Sequence, residues 1–142
     1  MSSKIELQLM LIDSDVDLLF LLKALLELTG CKVQTAKSYT EAFELIEAGT
    51  PDVIFTELFL NQLTILELSK KIRSMPRAND TLLVALTGHY YSGIAQDAWT
   101  AGFDRFLLKP VQFDQILVIL RRVAKISRRN VGESVSLPKA AA

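Results

Sequence analysis

Cysteine, histidine and tryptophan each occur once in the 142 residues. A lone Cys31 excludes an internal disulfide and fits a reducing compartment. It sits at a helix-to-strand turn, where a small apolar side chain simply packs. A lone His89 leaves both a histidine-based metal site and a Ser–His–Asp triad unsupported. No apolar run is long: Leu18 to Leu22 falls far short of the roughly 20 residues a membrane helix needs. Met1-Ser2-Ser3-Lys4 leads directly into patterned sequence, without the apolar stretch of a signal peptide. Charge of one sign is also missing, since 16 lysines and arginines balance 16 aspartates and glutamates. Electrostatics therefore points to neither nucleic acid nor an anionic membrane surface as partner. The expectation is a cytoplasmic domain over residues 1–129 with a flexible tail over 130–142.

What is present is core material: half of the residues are apolar and 23% are charged, a globular balance. Leu7 to Ile12 is nearly continuously apolar, as a strand covered on both faces would be. Residues 15–29 carry helical spacing, with Leu18, Leu22, Leu25 and Leu28 on one side and Gly30 as the stop. Lys32 to Ala36 alternates as a strand does. Ser38-Tyr39-Thr40-Glu41 has the form of a capping box and opens a helix to Ala48. Asp52 to Glu57 reads as a third strand, and Leu63 to Met75 as a helix closed by Pro76. Thr81 to Leu86 is a fourth strand, Tyr90 to Ala101 a helix, Arg105 to Leu108 a fifth strand and Phe113 to Arg129 the last helix.

Five strands alternating with helices need crossover connections, so the fold class is α/β, a doubly wound parallel sheet. In such sheets the site lies at the carboxyl ends of the strands, near the point where strand order reverses. The residues immediately past four of the strands, or closing them, are Asp13, Glu57, Thr87 and Lys109.

The segments around these residues are Leu11-Ile12-Asp13-Ser14-Asp15, Pro51 to Leu58, Ala85-Leu86-Thr87-Gly88 and Ala101 to Pro110. In this order, each at a strand end, they resemble the signature segments of response-regulator receiver domains, the module of two-component signal transduction that includes the chemotaxis regulators. The resemblance covers roughly residues 7–127. It implies the flavodoxin-like fold, with strand order 2-1-3-4-5 and five flanking helices. In receivers, two acidic residues after the first strand and an aspartate after the third hold magnesium, and that aspartate accepts a phosphoryl group from a histidine kinase. A hydroxyl residue and a lysine then grip the phosphate. Magnesium wants hard oxygens in octahedral array, and phosphoryl transfer depends on positioning and charge neutralisation. By resemblance Asp13 matches the first acid, Thr87 the hydroxyl and Lys109 the lysine. Pro110 matches a proline whose peptide bond is usually cis and which helps place Lys109.

Two positions depart from the pattern. Ser14 stands where the second acid belongs, and Glu57 stands where the phosphoacceptor aspartate belongs. The following loop carries Asn61-Gln62 and Thr64-Ile65 in place of the family's proline-glycine and aspartate-glycine turns. Serine removes one formal negative charge, so of the metal-site residues only Asp13 and Glu57 are carboxylates, and magnesium binding should be weak or absent. Glutamate carries its charge one methylene further, toward the place of a phosphoryl oxygen near Thr87 and Lys109. A displacement on the order of 1 Å can cost about a hundredfold in catalysis. Glu57 is thus placed as a fixed, partial mimic of the phosphorylated state, with one charge against nearly two on a phosphate.

The implied function is that of an atypical receiver, a non-enzymatic pseudo-receiver that works by protein–protein contact. Its expected partners are a histidine kinase or a downstream signalling protein. By resemblance the partner surface is formed by the fourth helix, fifth strand and fifth helix, with Trp99, Phe106 at the aromatic switch position, and Val118. A homodimer through the same surface is one form of that contact. Phe20, on the side of the first helix away from the leucine face, marks a second docking face. Asp15 and Asp17 are first-turn acids, and Arg121, Arg122, Lys125, Arg128 and Arg129 suit the end of the last helix. Two other readings remain: a receiver that retains magnesium-dependent phosphoryl transfer, and a flavodoxin-like cofactor binder. The second lacks a hydroxyl- and glycine-rich loop after the first strand.

Overall fold

The structure, a computed structural model, describes residues 4–60 and 63–132. Strands and helices alternate along it: β1 Gln8–Ile12, α1 Val16–Leu28, β2 Lys32–Ala36, α2 Tyr39–Ala48, β3 Val53–Thr56, α3 Ile65–Arg73, β4 Leu82–Thr87, α4 Ile94–Ala101, β5 Arg105–Leu108 and α5 Phe113–Gly132. A short 3-10 turn, Ala78–Asp80, precedes β4. All strand pairs are parallel and their order is β2-β1-β3-β4-β5, the flavodoxin-like arrangement. Residues 133–142 and Asn61-Gln62 lie outside the described residues, as do the side chains of Arg128 and Arg129. Residues 130–132, expected in the tail, continue α5.

The central strands are apolar on both faces because both faces are covered. Successive strand side chains point to opposite sides. Met10, Ile12, Ile54, Leu83 and Ala85 join the core beneath α2, α3 and α4. Leu9, Leu11, Val53, Phe55, Val84 and Leu86 join the core beneath α1 and α5. The strand order reverses between β1 and β3, so the crevice at their carboxyl ends is the place to look for a site.

Several boundaries move from their expected places. The buried side of α1 is Leu19, Leu22 and Leu26, while Leu28 is exposed and Leu18 and Leu25 are only half-buried. α4 begins at Ile94 rather than Tyr90, because Gly93 adopts a φ of 93° just before it and ends the preceding irregular segment. α3 begins at Ile65 rather than Leu63, behind a complete capping box: Thr64 accepts from the Glu67 N–H, and the Glu67 carboxylate accepts from the Thr64 N–H at 2.8 Å. The box expected at Ser38 forms by half. Ser38 accepts from the Glu41 N–H, but the Glu41 carboxylate turns to the Lys37 N–H.

Candidate functional site

Asp13 follows β1 directly, and its backbone N–H continues the ladder to Ala36. Its side chain is buried, with Oδ1 accepting from the Asp15 N–H at 2.9 Å. Glu57 follows β3, its N–H bound to the Ile12 carbonyl, and its side chain is buried as well. Thr87 closes β4 and is buried; its Oγ1 accepts from the His89 N–H. Lys109 follows β5, and its N–H bonds the Thr87 carbonyl. The Lys109–Pro110 peptide is cis. Sheet register thus delivers four polar side chains to one edge of an otherwise apolar layer.

There they converge. The Lys109 ammonium lies 2.5 Å from Asp13 Oδ2 and 3.1 Å from Glu57 Oε1. Glu57 Oε2 accepts from the Leu58 N–H at 2.7 Å, and Oε1 also faces the Gly88 N–H at 3.4 Å. Burial acts to raise the Glu57 pKa, but hydrogen bonds from the Thr87 hydroxyl, the Leu58 N–H and Lys109 outweigh it and hold the carboxyl below its usual range. Burial likewise acts to lower the Lys109 pKa, and the carboxylates of Asp13 and Glu57 more than reverse this. Glu57 and Lys109 therefore face each other as carboxylate and ammonium at neutral pH, with Asp13 Oδ2 on the same ammonium. Among the described residues no buried side-chain nitrogen or oxygen lacks a partner.

A resident magnesium ion does not fit this donor set. Ser14 is exposed and carries no charge. Asp15 does not replace it, because its carboxylate caps α1 by accepting from the Leu18 N–H at 3.1 Å. Among the described residues no third acid, histidine or cysteine joins Asp13 and Glu57. The two carboxylates already share a cation in the Lys109 ammonium. A dication that prefers six hard oxygens finds four from the two carboxylates, each already accepting a hydrogen bond.

One supporting residue was read only as part of a helix cap. Tyr39, in the first turn of α2, is fully buried, and its hydroxyl donates to the Glu57 carbonyl at 2.7 Å while accepting from the Leu60 N–H at 3.4 Å. Thr56 Oγ1 donates to the same carbonyl. Burial, with the nearby Glu57 charge adding to it, pushes the Tyr39 pKa up to about 12, so it stays a donor. A buried tyrosine requires a partner for its hydroxyl, and that requirement was the available signal. At the mouth, the His89 ring meets the Phe59 ring edge-on, with centroids 5.2 Å apart.

The remaining singled-out residues lie away from the cluster. Trp99 on α4 is 49% exposed, so it is not core filling. Phe106 in β5 is half-buried against the core beneath α2–α4. Val118 on α5 and Phe20 on α1 are exposed. Cys31 is buried, as expected of a packing residue. Among the described residues no helix is long and apolar enough to cross a membrane.

Comparison with known proteins agrees with this arrangement. The family model of the response regulator receiver domain matches residues 9–121. An uncharacterized 14.6 kDa protein of Leptolyngbya boryana is 28% identical over 111 residues, covering 78% of this chain and 85% of that protein. The C4-dicarboxylate transport transcriptional regulatory protein DctD of Rhizobium meliloti is 32% identical over 92% of this chain, which spans only 28% of DctD. Response regulator Rre1 of Synechocystis is 26% identical over 82% of this chain, about half of that protein (51%). Among solved structures, a two-component response regulator from Clostridium difficile superposes with a TM-score of 0.75 at 26% identity, covering 83% of this chain and 95% of that one. The receiver domain of the sensor histidine kinase PA1611 from Pseudomonas aeruginosa, solved with magnesium in its active-site cleft, shares the fold at a TM-score of 0.73 and 21% identity, covering 84% of this chain and 98% of that one.

Proposed function

Since the chain belongs to the response regulator receiver family, we propose that it is a receiver of two-component signalling whose switch is held in one state by Glu57 rather than set by aspartyl phosphate. The observation that carries this reading is the Glu57–Lys109 contact, 3.1 Å long in a buried cluster that also holds Asp13 and Thr87. The carboxylate that stands at the acceptor position is already bonded to the lysine and hydroxyl that would grip a phosphate. A group so occupied is a poor nucleophile, since attack requires giving up those bonds. Magnesium binds weakly at most, for want of ligands.

On this reading the output is contact with protein partners, a histidine kinase or a downstream protein, through the surface of α4, β5 and α5. Trp99, Phe106 and Val118 mark it, and no side chain plays a catalytic part. Nucleic acid and membrane are not partners, and the site of action is the cytoplasm. The state of the surface follows the state of Glu57, because Thr87 and Lys109 end the strands that flank α4 and α5.

Heteronuclear NMR of the wild type and Glu57→Gln tests this. Loss of the charge should move the backbone and ring signals of Trp99, Phe106 and Val118, none of which touches Glu57. Shifts confined to the residues around positions 13, 57 and 109 would show that Glu57 fills the site without setting the surface.

A further inference from the structure

Helix α1 presents an apolar stripe that none of the described residues covers. Val16, Phe20, Ala24 and Leu28 recur every fourth residue on its outer side, with Leu21 beside them, and Phe20 and Leu28 are 78% and 83% exposed. Single exposed apolar residues need no explanation, but a contiguous stripe is unusual on a monomer surface. Its charged border is acidic: Asp15, Asp17 and Glu27 are exposed, against a half-buried Lys23. Helix α5 offers the opposite. Around Val118, 60% exposed, stand Arg121, Arg122 and Lys125, with Asp114 the one acid on its outer side.

These two helices share a layer. Leu19, Leu22 and Leu26 of α1 and Ile116 and Leu120 of α5 pack into the same core on the same face of the sheet. Both return from the carboxyl edge of parallel strands, so they run in the same direction with their outer sides facing the same solvent. We infer that this layer is where a second copy of the chain docks, α1 of each protomer lying on α5 of the other. Two symmetric face-to-face pairings exist. A two-fold axis along the helices sets α1 on the partner's α5, twice. An axis across them sets α1 on α1 and α5 on α5. Charge separates the two: the first places acid against base in both contacts, and the second places acid on acid and base on base. Like charges facing each other disfavour a pairing, so the first is selected. It is isologous and closes at a dimer. Phe20, a large aromatic at the centre of the stripe, is its anchor.

Sedimentation velocity of the full chain over a wide concentration range tests the inference. The wild type should show a monomer–dimer equilibrium that added salt weakens. Phe20→Ser should raise the dissociation constant roughly tenfold or more. Reversing the α1 border (Asp17→Lys with Glu27→Lys) or the α5 face (Arg121→Glu with Lys125→Glu) should weaken the dimer, and combining both reversals in one chain should restore it. All positions are exposed, and thermal melts confirm that each variant is folded. A chain that stays monomeric at every concentration overturns the inference. So does a dimer indifferent to Phe20→Ser, one not restored by the combined reversals, or one abolished instead by Trp99→Ser.

Discussion

Glu57 reaches Lys109 within a closed cluster, its Oε1 3.1 Å from the ammonium. Removing the charge leaves the Lys109–Asp13 pair but strips Lys109 of one partner and Leu58 N–H of a charged acceptor. Glu57→Gln should therefore lower stability by about 1–3 kcal/mol at neutral pH in chemical denaturation. The pH dependence follows from the shifts. A carboxyl with a depressed folded pKa contributes stability that is present above its ordinary value, 4.5, and is lost as pH falls through the folded value. Lys109, with a raised pKa, contributes stability that is present below its ordinary 10.5 and is lost as pH climbs through the folded value. The gap between wild type and Glu57→Gln should thus be widest across the middle of the range and close at both ends. A gap independent of pH would mean that the ion pair is not its source. Asp13, Thr87 and Lys109 were legible in sequence because each follows or closes an apolar strand. Tyr39 was not, because its partner lies 18 residues away across the fold.

Among the elements, α3 opens on a local hydrogen-bond device. Thr64 and Glu67 satisfy each other's backbone N–H groups and fix where α3 begins. Thr64→Ala should cost about 1 kcal/mol, measured by thermal or urea unfolding, and Thr64→Ser should recover most of it. An unchanged midpoint for Thr64→Ala would show that the packing of Ile65, Leu68 and Ile72 sets the helix start by itself. The box is hidden in the sequence because helical spacing already begins at Leu63, one residue before the cap. The phase of α1 was missed for another reason. Leucines at 18, 19, 21, 22, 25, 26 and 28 supply more than one apolar stripe. Periodicity cannot choose between them, and packing against the sheet chose Leu19, Leu22 and Leu26. β2 and β5, bounded by clear breaks in pattern, lie where the sequence placed them.

For the whole molecule, alternation of strand and helix sufficed to give the parallel sheet, and the strand-end residues marked the edge where Asp13, Glu57 and Lys109 meet. Uptake of a phosphoryl group at that edge is a question of chemistry rather than of fold. The direct measurement is the intact mass of the full chain after incubation with magnesium and acetyl phosphate. It is run beside the Glu57→Asp, Ser14→Asp double variant, which rebuilds the family's acidic set. A double variant that gains a phosphoryl group shows that the scaffold is competent; one that does not shows that the loop after Glu57 blocks the chemistry as well. For the wild type the account predicts an unchanged mass, and a gain of one phosphoryl group that maps to Glu57 would contradict it.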